Sequence, residues 1–318
     1  RHTPARSDTL AVPDWTRTSV AQPREGSQRA RFMSSTPRLP ARHLLLAFVT
    51  VAIWGSNFVA IRVALQDLPP LLLCTVRFIF VAFPLVFFLP RPAITWRQLL
   101  TYGLTMFAGQ FALLFLGMKL GVSAGLASLV LQAQVFLSLA FAAWLLRERI
   151  RFVQVAGAGL AVAGFAVLGA HTGGEASWAY ANVTSRRLGR VNALALVVWG
   201  SLVVPVPMAL ASLAFEGPAL IARSLAGITL PGLLSVAYIV YASTLVAYSL
   251  WSWLLARHPA SSVTPFALLV PVFGMLSSAL MLGETLPAWK FLAALLVLGG
   301  LALNVFGPRL KWPQLRRA

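Results

Sequence analysis

Apolar runs of nearly constant length follow one another along the chain, at 43–62, 70–89, 99–118, 122–145, 152–170, 192–215, 229–254, 262–282 and 286–307. Each is continuous, and each approaches the about 20 residues that a helix needs to cross a bilayer. That continuity speaks against a membrane β-barrel, whose strands alternate with period two. Pro, Gly or charged residues fill the short linkers, as tight interhelical turns require. The pattern predicts an all-α polytopic membrane protein with nine clear crossings. One stretch is ambiguous. "AHTGGEASWAYANVTSRRLG", Ala170–Gly189, interrupts the series. Its part from Ala176 to Thr184 makes about 13 Å of helix against about 30 Å of hydrocarbon.

Composition agrees with this reading. Of the 318 residues 58% are hydrophobic and 11% charged, where a soluble domain carries about a quarter charged. The net charge of +18 would point to nucleic acid in a soluble protein. Here, after residue 42, the basic residues sit almost entirely between apolar runs, as juxtamembrane charge does. The lipid bilayer is therefore the expected partner and nucleic acid is not. Residues 1–42 are basic, rich in Pro and Ser, and read as disordered; they lack the apolar core of a secretory signal. Met33 reads as a candidate start, with a natural tail as the alternative. Cys74 is the single cysteine, which excludes an internal disulfide or a cysteine-based metal cluster.

Charge also bears on the ambiguous stretch. If it crosses, Arg91, Arg97, Arg147, Arg149, Arg151, Arg186, Arg187, Arg190 and Arg257 fall on one side with both tails. The other side keeps only Arg62, Lys119, Arg223 and Lys290. Both termini are then cytoplasmic by the positive-inside rule.

Self-similarity points the same way. Residues 102–168 align without a gap on 238–304 at a constant offset of 136: Tyr102 on Tyr238, Ser128 on Thr264, Glu148 on Glu284, Gly164 on Gly300. Earlier in the halves, Trp54 matches Trp178 and Asn57 matches Asn182 approximately. About a dozen apolar residues precede Trp54, but only "HTGGEAS" precedes Trp178. The stretch thus reads as the end of a sixth helix whose first half is missing. The predicted organisation is a tail (1–42), a first repeat (43–170), a second repeat (171–307) with a shortened sixth helix, and a basic cytoplasmic tail (308–318). Five helices per repeat place the second copy upside down, the inverted-repeat plan of secondary transporters.

The motifs "WGSNFVAIRVALQDLPPLLLCTVRF", "GVSAGLASLVLQAQVF", "LLRERI", "FALLVPVFG" and "GLALNVFG" resemble the EamA family of the drug/metabolite transporter superfamily over about 43–307. Within it, "LASLVLQAQ", "LLVPVFG" and "NVFG" are most similar to the bacterial O-acetylserine/cysteine exporters. The resemblance implies ten helices in two inverted five-helix repeats, a multi-pass bacterial inner-membrane protein, and efflux of amino-acid metabolites by alternating access. The shortened sixth helix departs from that pattern and bears on whether the cavity is sealed. It leaves open another small solute (a purine, sugar or drug) or an inactive relic.

Polar groups inside hydrocarbon are costly and mark candidate pathway residues. They are Asn57, Arg77, Gln110, Ser128, Gln132, Gln134, Asn182 and Tyr248, with Trp54 and Trp178 beside them. Amides and hydroxyls can pair with the ammonium and carboxylate of an amino acid, and aromatic faces can meet the ammonium. Ser128 and Gln132 share a helix face, whereas Gln134 joins them only if the helix kinks. Arg77, seven residues into its run, either binds a carboxylate or caps carbonyls of a neighbour. Pro271 is expected to free carbonyls near the midplane, and Glu148 and Glu284 read as markers at helix ends. His43, His171 and His258 lie at helix ends without metal-ligand pairing, so no enzymatic, metal or cofactor site is expected. Oligomeric state leaves no signal.

Overall fold

The computed structural model describes residues 39–83, 85–136, 152–172 and 193–307. Every regular element among them is helical. The chain runs α1 (Ala41–Asp67), α2 (Pro70–Ala82, then a 3-10 turn at Leu85–Phe87), α3 (Trp96–Lys119), α4 (Ala124–Phe136) and α5 (Phe152–Thr172). It continues as α6 (Ala195–Phe215), α7 (Pro218–Ala226), α8 (Leu230–Arg257), α9 (Thr264–Leu282) and α10 (Ala288–Phe306). Within the described residues seven helical stretches are long and apolar enough to cross a membrane, and α4 and α5 are shorter apolar helices. These nine coincide with the nine apolar runs. The addition is α7, a short surface helix opened by Gly217 at φ 80° and Pro218 at its first position, in what reads from the pattern as a linker. Residues 173–192, with Trp178 and Asn182, and residues 137–151, with Glu148, lie outside the described residues, so the shortened sixth helix does too.

In lipid each backbone end must be satisfied within the protein, and the few acidic residues do this across helices. Glu216 accepts from the N–H groups of Leu71 and Leu72 at the start of α2, at 2.6 and 3.0 Å. Glu284 accepts from Ala124 and Gly125 at the start of α4, at 2.8 and 3.3 Å. Asp67 accepts from the Thr229 amide (2.9 Å) and hydroxyl (2.6 Å) at the start of α8. Each carboxylate thus meets the positive end of a helix dipole. Cations serve the opposite ends: Arg62 donates to the Met118 carbonyl at 2.6 Å, and Lys119 to the Leu65 carbonyl at 2.7 Å. These contacts engage all three carboxylates among the described residues, Asp67, Glu216 and Glu284.

Small residues let the backbones approach. α1 packs against α9 where Gly55 faces Phe273 and Gly274; a methyl on Gly55 would lie 2.8 Å from the Gly274 nitrogen. α4 reaches α9 where Gly125 faces Ser278 and where Ser128 fills the space beside Gly274. Among the described helices α5 and α10 share the most extensive interface. A methyl on Gly157 would lie 2.6 Å from the Gly300 carbonyl, and one on Gly164 would lie 3.0 Å from the Ala293 carbonyl. Residue numbers rise along α5 as they fall along α10, so the two helices run antiparallel. The offset of 136 carries Gly157 to Ala293 and Gly164 to Gly300, so the two contacts exchange with each other, as at a two-fold interface.

A second feature recurs at that offset. α3 is π-helical over Gly103–Gly109 and α8 over Tyr238–Val246; shifted by 136, the first range becomes 239–245, inside the second. π turns are rare and concentrate at functional sites.

Filling the α5–α10 crossing is expected to be costly. Gly300→Leu should lower unfolding stability by about 1–3 kcal/mol through overpacking, read as an earlier thermal midpoint in detergent. Gly159→Leu, on the exposed side of α5 with open space around it, should leave the midpoint unchanged. Equal effects from both would contradict the packing described.

Candidate functional site

Among the described residues three helices, α1, α2 and α3, carry buried polar atoms without partners, together with α10. They are Asn57 Oδ1, Arg77 Nε and Nη1, Gln110 Oε1 and Asn304 Nδ2. A native interior pairs nearly all such groups, so this set is informative.

Arg77 sits in α2 with 2% of its surface exposed. Its Nη2 donates to the Thr244 hydroxyl at 3.0 Å, and its guanidinium carbon lies 3.9 Å from the centre of the Phe111 ring. Nε and Nη1 reach nothing. The guanidinium therefore caps no carbonyl here. An aromatic face offers a desolvated cation about 2 kcal/mol, against a burial cost of several kcal/mol.

Thr244 lies in the π segment of α8, and its hydroxyl donates to the Ile239 carbonyl five residues back at 2.8 Å. Trp54 of α1 donates its indole N–H to the Ser243 carbonyl, in the same segment, at 3.1 Å. Its ring meets Tyr248 edge-on at 5.2 Å and Trp251 at 5.2 Å. Trp54 and Tyr248 are thus joined across α1 and α8. Asn57, three residues on from Trp54 and near the same helical face, is 7% exposed. Gln110 follows the π segment of α3 directly and precedes Phe111.

Gln132 and Pro271 meet through one carbonyl. Proline has no N–H to offer the carbonyl four residues back, which is Ala267. The Ala267 oxygen accepts from the Val270 N–H and from Gln132 Nε2 at 3.4 Å. The span turns from 3-10 to α-helix at Val270–Pro271. α4 also bends at Leu131–Gln132, where backbone bonds tighten to three residues: Gln132 to Leu129 at 3.1 Å and Gln134 to Leu131 at 3.3 Å. That is the kink without which Gln134 cannot approach the face of Ser128 and Gln132. The Ser128 hydroxyl donates to the Gly125 carbonyl at 2.6 Å and packs at the α4–α9 crossing.

Two groups escape the sequence reading. Thr244 looks like an ordinary hydroxyl of an apolar run, and only its alignment with the α3 π segment singles it out. Tyr238, aligned with Tyr102, bonds the Ser56 hydroxyl at 2.6 Å and the Ile53 carbonyl at 3.2 Å. It floors an open groove of about 410 Å³ between α1, α8 and α9. Among the described residues no three His, Cys, Asp or Glu side chains gather to hold a metal.

The EamA-like transporter family profile matches this chain twice, over residues 41–170 and 173–306. The chain belongs to the EamA-like transporter family. This EamA-like protein is accordingly a multi-pass membrane transporter. It is 42% identical over 285 residues to a "Probable amino-acid metabolite efflux pump" of Salmonella typhimurium, covering 84% of this chain and 95% of the relative. It is 40% identical over 287 residues to the protein of that description in Escherichia coli K12, with coverage of 84% and 95%. A "Probable terminal-alkyne amino-acid exporter" of Streptantibioticus cattleyicolor is 27% identical over 280 residues, covering 80% of this chain and 90% of the relative. One solved crystal structure superposes with a TM-score of 0.58 at 21% identity, covering 85% of this chain and 98% of that one, and it supports the fold alone.

Trp54→Phe keeps the ring but loses the bond to Ser243. The expected cost is about 0.5–1.5 kcal/mol, read by thermal unfolding in detergent. An unchanged midpoint would remove Trp54 as the tie between α1 and the π segment.

Proposed function

We propose that this EamA-like protein exports small amino-acid metabolites of the O-acetylserine/cysteine kind across the bacterial inner membrane by alternating access. The observation that carries the reading is the group of unpartnered polar atoms in α1–α3, Arg77 Nε and Nη1, Asn57 Oδ1 and Gln110 Oε1, in helices whose other buried side-chain polar atoms are paired. One cation and two acceptors complement a carboxylate and an ammonium. The printed descriptions of the relatives at 42% and 40% identity support the same substrate class.

The transport machine in this reading is a pair of inverted five-helix repeats, 43–170 and 171–307, with both termini cytoplasmic. Two matches of one family profile, the antiparallel α5–α10 pair with its exchanging glycine contacts and the two π segments at equivalent positions support it. Rocking one repeat against the other would open the polar centre to either side. The pathway comprises Trp54, Asn57, Arg77, Gln110, Gln132, Gln134, Tyr248 and Pro271, with Ser128 at its packed edge and Trp178 and Asn182 contributed by the sixth helix. The described core carries no carboxylate away from helix ends, which disfavours cationic drugs as substrates.

Everted vesicles holding the protein should accumulate labelled O-acetylserine and cysteine above control vesicles, with purines and sugars at background. A flat response to every solute from folded, inserted protein would favour the inactive reading. Accumulation of purine or sugar alone would move the function to another solute.

A further inference from the structure

We propose that the Arg77 guanidinium is the carboxylate subsite of the pathway, and that the Thr244 hydroxyl occupies it as a stand-in when no substrate is bound. The inference deepens the export reading and rests on it for the class of solute. It selects compounds with a free carboxylate, so a zwitterionic amino acid binds and its carboxyl ester does not.

Three observations converge on Arg77. It is 2% exposed, and two of its three nitrogens have no partner. A guanidinium offers five N–H donors in a planar fork matched to carboxylate geometry, and here most of that fork is unused. The third nitrogen meets a neutral hydroxyl at 3.0 Å, a weaker partner than an anion. The Phe111 ring covers the guanidinium at 3.9 Å, with the Phe78 and Phe115 rings at 5.3 and 6.0 Å.

The position of Arg77 ties this subsite to the two π segments. Phe111 lies two residues past the α3 segment, and Phe107, within it, meets Phe78 at 5.3 Å. Thr244 lies inside the α8 segment and holds the Ile239 carbonyl through the same hydroxyl that accepts from Arg77. A carboxylate that takes over the Arg77 donors releases Thr244 from α2. Binding then acts on a hinge in each repeat through one side chain. A state change driven by a ligand requires that the ligand contact the two states differently, and exchange of Thr244 for a carboxylate on Arg77 provides that difference.

The test compares O-acetylserine with its methyl ester, in proteoliposome transport and in ligand-induced thermal stabilisation, for the wild type, Arg77→Gln and Arg77→Lys. The wild type should favour the acid over the ester by about thirtyfold or more, the scale on which losing one partner of a buried charge pair is felt. Arg77→Gln should lose that preference, and Arg77→Lys should keep part of it. Equal handling of acid and ester by the wild type overturns the subsite without reference to any variant. So does full acid preference in Arg77→Gln. If the wild type transports no amino-acid metabolite, the export reading fails separately. Acetate then serves as the probe: stabilisation of the wild type and not of Arg77→Gln sustains the carboxylate subsite, and stabilisation of neither overturns it.

Discussion

Hydrocarbon supplies no hydrogen bonds, and most features of this molecule follow from that constraint. Each helix end within or near the membrane must be closed by the protein itself. Asp67, Glu216 and Glu284 close the starts of α8, α2 and α4, and Arg62 and Lys119 close the ends of α3 and α1. These charges are therefore architectural. They sit where helix dipoles make them favourable, and they leave the interior free of carboxylates in the described residues away from helix ends. The proline in α9 creates another open carbonyl, Ala267, and Gln132 reaches across from α4 to meet it.

Against that thorough pairing, Asn57, Arg77 and Gln110, with Asn304 in α10, stand apart because their orphaned atoms are not backbone repairs. Trp54, Thr244 and Tyr248 surround the same junction between α1, α2 and α8. The two π segments flank it, one in each half of the chain. A site that can bind and release a solute needs polar groups whose partners are replaceable and helices whose geometry is soft. Both conditions meet here, and nowhere else among the described residues do they coincide.

Much of the fold is legible in the sequence because the bilayer imposes one length on each crossing. The nine apolar runs became helices, with starts marked for example by Ser123, Thr229 and Pro70. Polar residues were recognisable as a class by their cost. Their individual roles were not legible, because a role depends on what lies across the helix. Ser128 and Gln132 share a face, yet one fills the gap beside Gly274 and the other closes the Ala267 carbonyl. The π segments have no composition of their own, and the offset between the halves is the only sequence feature that brings them together. The carboxylate caps were equally hidden: Glu284 and Ala124 are 160 residues apart, and dipole complementarity says what a helix end wants without naming the donor.

The central claim is that the polar atoms left over after the backbone has been satisfied line a solute route through the lipid. Cys74 is the only native thiol, so a Cys74→Ser background permits single cysteines at Asn57 and Gln110, with one at the lipid-facing Leu295 as reference. Reaction rates with a small membrane-impermeant thiol reagent test the claim most directly. The account expects both pathway cysteines to react well above Leu295→Cys and to be protected by O-acetylserine. Labelling at the rate of Leu295→Cys, with no protection, would contradict it.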